Sequence, residues 1–326
     1  MTRGPEANKP LGVLARGALL PVIDDEAAWA EARLPPRMFA AALAVVAARH
    51  GLVFEAVSRA RHGSSPVFLS RRWAVKWVPP FWRREAEVEA RCLSHIEGAL
   101  ALETPALEAF GALDGWTYLV TSRVEGVPLR SVFPTLTVRD QVGVAGACGA
   151  LLARLHALPL AGLGDAGEGW AAYVAHRLAE GPRTQRAAGL SEHLLRRLPG
   201  WLDPLSGGAS RSGLSLLHGD LHHEHLVLRA EGGRWVLKGL LDLGDALVGE
   251  AAYDLVTPAF YVACGRREAQ RALFDAAGFR CDAAASARMM AWSVMHRYLG
   301  LAHFLPPNPG PLSLEVLQAR YWPVLC

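Results

Sequence analysis

Cysteine is scarce in this sequence, which contains five such residues and no CxxC pair; they are Cys92, Cys148, Cys264, Cys281 and Cys326. An odd number without close spacing argues against a disulfide framework and against a structural zinc ribbon. We therefore interpret these residues as buried thiols of a protein that works in a reducing compartment.

Long apolar runs and blocks of one charge are also missing. No segment approaches the roughly 18 apolar residues that a membrane helix needs, and the apolar stretch LGVLARGALLPVI is short and contains Arg16, so we expect no signal peptide. Lys and Arg total 34 against 31 Asp and Glu, without a sustained basic run. These absences predict a cytoplasmic protein whose partners are neither membranes nor nucleic acid. We expect a monomer or a homodimer.

The hydrophobic pattern predicts an α+β protein with a β-rich first third and a mainly helical remainder. The 326 residues are 51% hydrophobic, enough for a substantial core in one large or two smaller domains. Strands are predicted over 52–60, within 67–78, over 106–124 with an Asp114-Gly115 turn, and around 214–217, 225–230 and 235–243. Helices are predicted over 38–49, 82–98, 141–158, 170–180 and 191–205. Gly and Pro interrupt the pattern at 124–129, so the predicted domains are 1–123 and 124–326.

The segment HGDLHHEH, residues 218–225, carries the densest chemistry in the chain. It could be a metal site, a catalytic loop for phosphoryl transfer, or a His-rich polar turn. A zinc site needs spacings that let its ligands converge, as in H-E-x-x-H, and that pattern is absent. The downstream sequence favours the catalytic loop.

Two strand-like segments each end in a loop carboxylate, Asp220 after LSLL and Asp242 after the apolar run GLL. Phosphoryl transfer requires one carboxylate to orient the attacking hydroxyl and another to hold the Mg²⁺ that neutralises phosphate charge. Upstream, Lys76 in a strand and a carboxylate on the following helix could form the ion pair that steadies nucleotide phosphates.

Taken together, these motifs resemble the aminoglycoside phosphotransferase family, relatives of the protein kinases. The similarity rests on HGDLHHEHLVL followed by GLLDLGDALVGEAAYDL, and extends through SSPVFL, AVKW, WTYLVTSRVEG and LLARLHALP. The layout is most like that of the hygromycin phosphotransferases. The resemblance implies a two-lobed kinase-like fold, ATP or GTP as cofactor together with Mg²⁺, and a small hydroxylated molecule as acceptor.

The resemblance also implies a role for each motif residue. Asp220 would be the catalytic base, Asp242 the principal Mg²⁺ ligand, and Lys76 the contact to the α- and β-phosphates. Its helix partner could be Glu85, Glu87 or Glu89, and we favour Glu89 because Leu93 and Ile96 follow it at the apolar spacing of the family. The loop Gly63, Ser64 and Ser65 would cover the phosphates, and the hinge over residues 121–124 would offer backbone groups of Ser122 and Val124 to adenine.

One position departs from the usual family pattern. Members commonly carry Asn five residues after the catalytic Asp, as a second metal ligand, where this chain has His225. Oxygen ligands suit Mg²⁺ better than imidazole does, so this exchange predicts tolerance of Mn²⁺ or a weakened second metal site. Macrolide phosphotransferases resemble this chain in having a His there, so we expect an active enzyme.

The region that would bind the acceptor is poor in acidic residues. Residues 255–326 contain four acids, Glu268, Asp275, Asp282 and Glu315, against seven arginines. Polycationic aminoglycosides need more negative charge than this. Candidate acceptor contacts are Glu224, Glu250 and His222.

The sequence thus predicts an O-phosphotransferase that confers resistance to a hygromycin-like or aminoglycoside-like antibiotic. The alternatives are a macrolide kinase or metabolite kinase of the same family, or a nucleotide-binding pseudokinase.

Overall fold

A five-stranded antiparallel sheet forms the centre of the first of two units into which the computed structural model divides. This unit contains the described residues up to Glu97 together with Pro105–Val124, and the second unit contains Gly98–Thr104 and the described residues from Glu125 onward. The structure describes residues 13–14, 17–32, 34–61, 63–163, 169–208, 213–307 and 309–325.

The first unit combines short strands with three α-helices. Its strands are β1 Val13–Leu14, β2 Pro21–Val22, β3 Ser58–Arg59, β4 Val67–Leu69, β5 Trp73–Val78, β6 Leu107–Leu113 and β7 Trp116–Ser122. Its helices are α1 Glu26–Glu31, α2 Ala40–His50 and α3 Arg83–Ile96, with 3₁₀ turns at Pro36–Phe39 and Pro80–Trp82. β1 pairs with β2, and the larger sheet has the order β3-β4-β5-β7-β6.

Local sequence signals account for most of these elements. Gly51 ends α2 in the left-handed conformation at φ 63°, which glycine adopts without steric cost. The Asp114-Gly115 turn has positive φ at both positions, 50° and 81°, and joins β6 to β7 as the two-residue hairpin signal predicts. The apolar positions of α3 are buried along one face; they are Val88, Cys92, Leu93 and Ile96.

The strand predicted over 52–60 is wrong for most of its length. Only Ser58–Arg59 pairs, against the short strand β4, at the edge of the sheet. Leu52 and Phe54 instead pack as partly buried side chains against the core of the unit. Because β4 has only three residues, it offers too few backbone hydrogen-bond partners for β3 to be longer.

The second unit is mainly helical. Its helices are α4 Leu129–Val132, α5 Val138–His156, α6 Trp170–Ala187, α7 Glu192–Leu195, α8 Leu198–Leu202, α9 Val256–Tyr261, α10 Arg267–Ala276, α11 Ala283–Met295 and α12 Ser313–Tyr321. The 3₁₀ turns lie at Phe133–Thr135, Asp203–Leu205, Ala251–Leu255 and Leu301–Phe304. The continuous helix predicted over 191–205 is wrong, because Pro199 and Pro204 lack the N–H that a helix interior requires, and the segment breaks into α7, α8 and a 3₁₀ turn.

Two small sheets in this unit position the loops of interest. The strands are β8 Val127–Pro128, β9 Leu214–Leu217, β10 Leu226–Glu231, β11 Arg234–Leu240 and β12 Leu247–Glu250. They form a sheet of order β11-β10-β8 and a pair β12-β9, all antiparallel. The predicted strands β9, β10 and β11 are confirmed, and β9 and β11 each lead directly into a loop with a carboxylate. β12 was not predicted.

The cysteines within the described ranges are free thiols. Cys92, Cys148 and Cys281 are buried and Cys264 is half-buried, while Cys326 lies outside the described residues. Burial raises the pKa of Cys92 to about 12 and that of Cys281 to about 11, which suppresses thiolate formation. The interpretation as buried thiols is confirmed for Cys92, Cys148 and Cys281. None of the described helices combines the length and apolarity needed to cross a membrane.

The packing of α5 against α10 depends on a glycine. A Cβ at Gly149 would overlap the carbonyl oxygen of Leu273 and lie 3.0 Å from the Cβ of Ala276. In the same helix, a Cβ at Gly143 would find only the Arg234 guanidinium, at 4.0 Å.

We expect Gly149→Ala to lower the free energy of unfolding by about 1–3 kcal/mol through overpacking. Gly143→Ala is the matched control and should stabilise by about 0.5–1 kcal/mol, because alanine restricts the unfolded chain and packs without conflict there. Urea denaturation of both variants measures the difference. Equal effects at the two positions would contradict this account of the helix contact.

Candidate active site

The backbone of the 218–225 loop is anchored by a buried carboxylate, that of Asp254. Its oxygens accept the backbone N–H of His218 at 2.7 Å and that of Gly219 at 2.8 Å. His156 Nε2 lies 3.0 Å from the same carboxylate, which is 2% exposed. Burial alone would raise the pKa of Asp254, but the hydrogen bonds from His156 and the backbone bring it below the ordinary value. The first residues of the loop are therefore held by hydrogen bonds from their backbone N–H groups to a buried negative charge.

His218 is a structural histidine whose ring bridges the two strand ends. Its Nε2 lies 3.0 Å from the carbonyl oxygen of Leu241, and its Nδ1 accepts the N–H of Asp220 at 3.4 Å. Burial lowers the pKa of His218, so the ring is neutral with its proton on Nε2. Through this ring the loop after β9 is tied to the loop after β11.

Gly219 occupies a position that no other residue fits. Its φ is +83°, and a Cβ would overlap the carbonyl oxygen of Asp245. Close contact between the loop and the turn after Asp242 therefore requires glycine here. That contact brings the two carboxylate-bearing loops within reach of each other.

Asp220, the predicted base, is 8% exposed. Its Oδ1 is buried and has no hydrogen-bond partner among the described residues. Burial, followed by the nearby charges of Asp245 and Asp242, raises the pKa of Asp220 to about 8. The raised pKa makes the ionised carboxylate a stronger base, and that ionised form predominates above the pKa.

His222 and His225 stack on each other with ring centroids 4.0 Å apart, yet their hydrogen bonds assign them opposite tautomers. His222 Nδ1 accepts the backbone N–H of Glu224 at 3.1 Å, so its proton is on Nε2. His225 Nδ1 lies 2.8 Å from the carbonyl oxygen of Asp220 and must carry a proton there, so in the neutral ring Nε2 holds the lone pair. Burial lowers the pKa of His222 to about 2, consistent with a neutral ring.

The lone pair of His225 faces Asp242. His225 Nε2 lies 3.6 Å from Asp242 Oδ2, so two acceptors confront each other without a proton between them in the neutral ring. Such a pair is stabilised by a cation. Asp242 itself has φ +61°, a strained conformation for a non-glycine residue, and its Oδ1 accepts the N–H of Gly244 at 3.3 Å.

These tautomers discriminate between the metal alternatives raised by the sequence. One nitrogen or oxygen each of Asp220, His222 and His225 lies within 4.8 Å of the others, a spacing that could hold a metal ion. His222 would have to offer Nε2, but that nitrogen carries the ring proton while Nδ1 accepts from Glu224. A zinc centre of these three residues is therefore disfavoured, and His225 with Asp242 is the pair suited to a divalent cation.

The acidic residues proposed as acceptor contacts are already paired with arginine. Arg130 forms an ion pair with Glu224, and Arg288 donates to both oxygens of Glu250 at 2.8 and 2.7 Å. Asp245, beside the catalytic loop, accepts from Arg297 at 3.0 Å and from the Tyr298 hydroxyl at 2.8 Å. The negative charge available to a cationic ligand is correspondingly small.

In the first unit, Lys76 and Glu89 form the ion pair expected between strand and helix. Lys76 Nζ on β5 lies 2.7 Å from Glu89 Oε2 on α3, and both side chains are largely buried. Glu87 instead pairs with Arg83 on the solvent side at 2.8 Å. The apolar face of α3 explains the choice, since Glu89 lies on the buried side of the helix.

The other predicted nucleotide contacts lie in the same unit. Gly63 has φ +117° and precedes Ser64 and the buried Ser65, at the turn before β4. At the end of β7, Ser122 donates its N–H to Ala106 and accepts the N–H of Ala106 on its hydroxyl, both at 2.8 Å. The amide N–H and hydroxyl of Ser122 are thus committed within the sheet. For Val124 the role in binding a base stays a prediction.

The anchoring partners His156 and Arg297 were not found by sequence reasoning. His156 ends α5, far from the HGD motif in sequence, and Arg297 follows α11. The sequence signal for His156 was the LARLH segment itself, whose last residue sits in the final helical turn.

We expect Asp254→Ala to expose the amides of His218 and Gly219 to exchange and to lower the free energy of unfolding by about 3 kcal/mol, because two backbone donors lose a charged acceptor in a buried position. Hydrogen exchange measured by NMR or mass spectrometry on a loop peptide reports this directly. Asp282→Ala, which removes only the exposed N-cap of α11, should cost about 1 kcal/mol and leave the loop protected. Unchanged loop protection in Asp254→Ala would contradict the anchoring role.

Several solved structures have the same fold. The GDP complex of wild-type aminoglycoside 2'-phosphotransferase-IIIa is 18% identical over 78% of this chain and 89% of that chain, with a TM-score of 0.64. The apoenzyme of macrolide 2'-phosphotransferase MphH from Brachybacterium faecium is 21% identical over 86% and 97%, with a TM-score of 0.55. Aminoglycoside phosphotransferase APH(3'')-Id from Streptomyces rimosus, in complex with ADP and streptomycin, is 17% identical over 79% and 98%, also at 0.55.

These likenesses confirm the α+β, kinase-like fold expected from the motifs. A sequence model of the phosphotransferase enzyme family, APH, matches residues 56–292, which include the Lys76–Glu89 pair and both carboxylate loops. This chain therefore belongs to the phosphotransferase enzyme family.

Proposed function

We propose that this protein transfers the γ-phosphoryl group of ATP or GTP to a hydroxyl group of a small-molecule antibiotic, and so confers resistance to it. The observation that carries the proposal is the buried Asp220 carboxylate, whose Oδ1 has no hydrogen-bond partner among the described residues, close to the site where His225 Nε2 and Asp242 Oδ2 lie 3.6 Å apart. One group is suited to take a proton and the other to hold a cation, which are the two requirements of phosphoryl transfer.

In this mechanism Asp220 accepts the proton of the acceptor hydroxyl as the oxygen attacks the γ-phosphorus. The bond to the β-γ bridging oxygen breaks, and the nucleoside diphosphate leaves. The raised pKa of Asp220 matches this task, because it brings the proton affinity of the carboxylate towards that of a group active near neutral pH. Asp254 contributes indirectly, by holding the backbone from which Asp220 projects.

Asp242 and His225 would hold the divalent cation. Their facing acceptors, 3.6 Å apart, fit a positive charge, and the strained backbone of Asp242 is maintained at the position where that charge would bind. A bound Mg²⁺ or Mn²⁺ supplies neutralisation of phosphate charge. Its presence near Asp242 would also offset part of the negative field that raises the pKa of Asp220.

Nucleotide binding is assigned to residues 1–123, and the catalytic loop and acceptor site to residues 124–326. Lys76, oriented by Glu89 at 2.7 Å, is the proposed contact to the nucleotide phosphates. The turn of Gly63, Ser64 and Ser65 is proposed to cover them, and Ser122 and Val124 to approach the base. In support, related structures contain GDP or ADP.

Two acceptor classes remain, and the ion pairs distinguish them. A hygromycin-like aminocyclitol requires some free negative charge, which Glu224 and Glu250 could supply only by leaving Arg130 and Arg288. A macrolide-like acceptor requires much less free negative charge in its binding site. The paired state of these carboxylates, together with His225, favours the macrolide-like acceptor as the second candidate function.

We expect wild-type protein with Mg²⁺ and ATP or GTP to consume nucleotide only when a suitable acceptor is present, and Asp220→Ala to lose at least about 10²-fold in kcat, the contribution typical of a general base. The measurement is nucleotide turnover against hygromycin-like aminocyclitols, aminoglycosides, macrolides and hydroxylated metabolites. Asp275→Ala, an exposed acid on α10, is the matched control and should match wild type.

The pattern across this panel decides between the proposals. Turnover with macrolides and not with aminocyclitols would select the second candidate. Nucleotide binding without turnover for any acceptor would contradict the proposed enzyme and favour a pseudokinase. Absence of nucleotide binding would contradict the cofactor assignment as well.

We expect His225→Asn to lower the ratio of Mn²⁺-supported to Mg²⁺-supported activity several-fold, because an amide oxygen suits the harder Mg²⁺ and an imidazole nitrogen suits Mn²⁺ better. Initial rates at matched free-metal concentrations give the ratio. His176→Asn, at an exposed position of α6, serves as the control substitution. An unchanged ratio in His225→Asn would show that the side chain does not hold the cation.

A further inference from the structure

Within the described part of the chain, His222 presents a polar side chain to the Asp220 carboxylate that could set its orientation. Its Oδ1 has no partner among the described residues, and Oδ2 lies 3.5 Å from His222 Nε2. A carboxylate without hydrogen bonds rotates freely about its terminal torsion. A base must present one oxygen to the incoming hydroxyl, so its orientation matters for the rate.

The tautomer of the His222 ring is determined by the hydrogen bond at Nδ1. The Glu224 N–H can only donate, so Nδ1 must accept and the ring proton is on Nε2. The Nε2–H group therefore lies on the side of the ring that faces Asp220, where Nε2 and Oδ2 are 3.5 Å apart, a separation that must shorten for a hydrogen bond to form. The separation of 3.5 Å is slightly long, as catalytic hydrogen bonds often are before substrates bind.

The ring is also held in place from several sides. It stacks on His225 with centroids 4.0 Å apart, and His225 stacks in turn on His218 at 5.6 Å. Tyr261 meets the ring edge-on at 5.9 Å. Glu224, whose N–H sets the tautomer, is itself tied to Arg130 by an ion pair. The donor thus has a fixed direction.

We propose that His222 is a positioning residue, whose Nε2–H orients the Asp220 carboxylate for proton transfer. This inference rests on the proposed function of Asp220 as base. It differs from a role of His222 as an acceptor-binding contact, because it places the effect of the side chain on kcat and not on the acceptor KM.

Two conservative replacements separate the functions of the two ring nitrogens. The amide nitrogen of glutamine reaches roughly to the Nε2 position, so His222→Gln keeps the donor to Asp220. Asparagine places its amide oxygen near Nδ1, so His222→Asn keeps the acceptor for the Glu224 N–H and loses the donor to Asp220. A purely structural role predicts that Asn is the better replacement, and a positioning role predicts that Gln is.

We expect kcat of His222→Gln to stay within about 5-fold of wild type, while His222→Asn and His222→Phe lose about 10- to 100-fold, the effect of one hydrogen bond to a charged group. The KM values for nucleotide and acceptor should change less than about 3-fold. His176→Gln and His176→Asn, at an exposed site of the same unit, control for the substitutions themselves. Equal kcat for Gln and Asn at 222, or a change confined to the acceptor KM, would overturn the inference while the Asp220-dependent turnover of wild type still supported the proposed function.

A measurement independent of turnover tests the same assignment. Long-range ¹H–¹⁵N NMR correlations distinguish the two neutral tautomers of each histidine, and the signals of position 222 are identified by their loss in His222→Gln. We expect protonated Nε2 at His222 and protonated Nδ1 at His225. Protonated Nδ1 at His222 would overturn the inference whether or not an acceptor has been found.

Discussion

The buried carboxylate of Asp254 is the constraint on which the candidate site depends. It accepts the backbone N–H groups of His218 and Gly219, and His156 at the end of α5 completes its partners. A charged acceptor in a buried position strongly opposes any movement of those donors, because losing them would leave it unsolvated. The backbone at the start of the loop, from which Asp220 projects, is thereby held in place.

Backbone hydrogen bonds also determine the chemistry of the histidines that follow. The rings of His222 and His225 stack against each other, but Nδ1 of one accepts an N–H and Nδ1 of the other donates to a carbonyl oxygen. Their free nitrogens consequently differ, a donor towards Asp220 and a lone pair towards Asp242. Two identical side chains three residues apart thereby acquire opposite roles, one suited to orient a base and one to hold a cation.

Charge pairing in the second unit bears on the choice of acceptor. Glu224, Glu250 and Asp245 lie near the loop, and each has an arginine partner. The carboxylates are the more buried partners in these pairs, so a cationic ligand would have to compete with an arginine for each of them. A ligand with several amino groups would have to replace the arginine at each carboxylate. A ligand with one amino group or none would leave the ion pairs intact.

Local sequence determined the elements and the identity of the motif residues. The Asp114-Gly115 hairpin, Gly51 at the end of α2, the buried face of α3 and the two strands ending in Asp220 and Asp242 follow from spacing and turn chemistry that act over a few residues. The strand predicted over 52–60 was wrong for most of its length, because its pairing depends on β4, which has only three residues.

Only the tertiary structure decided what those motif residues do to one another. His156, Arg297 and the tautomers of His222 and His225 depend on atoms distant in sequence or on the path of the loop backbone, which no periodicity encodes. The same holds for Glu224 and Glu250: the sequence showed two carboxylates near a catalytic loop, and the fold placed Arg130 and Arg288 against them. Pairing of charges is a property of three-dimensional proximity, so composition alone could not reveal which acids remained available.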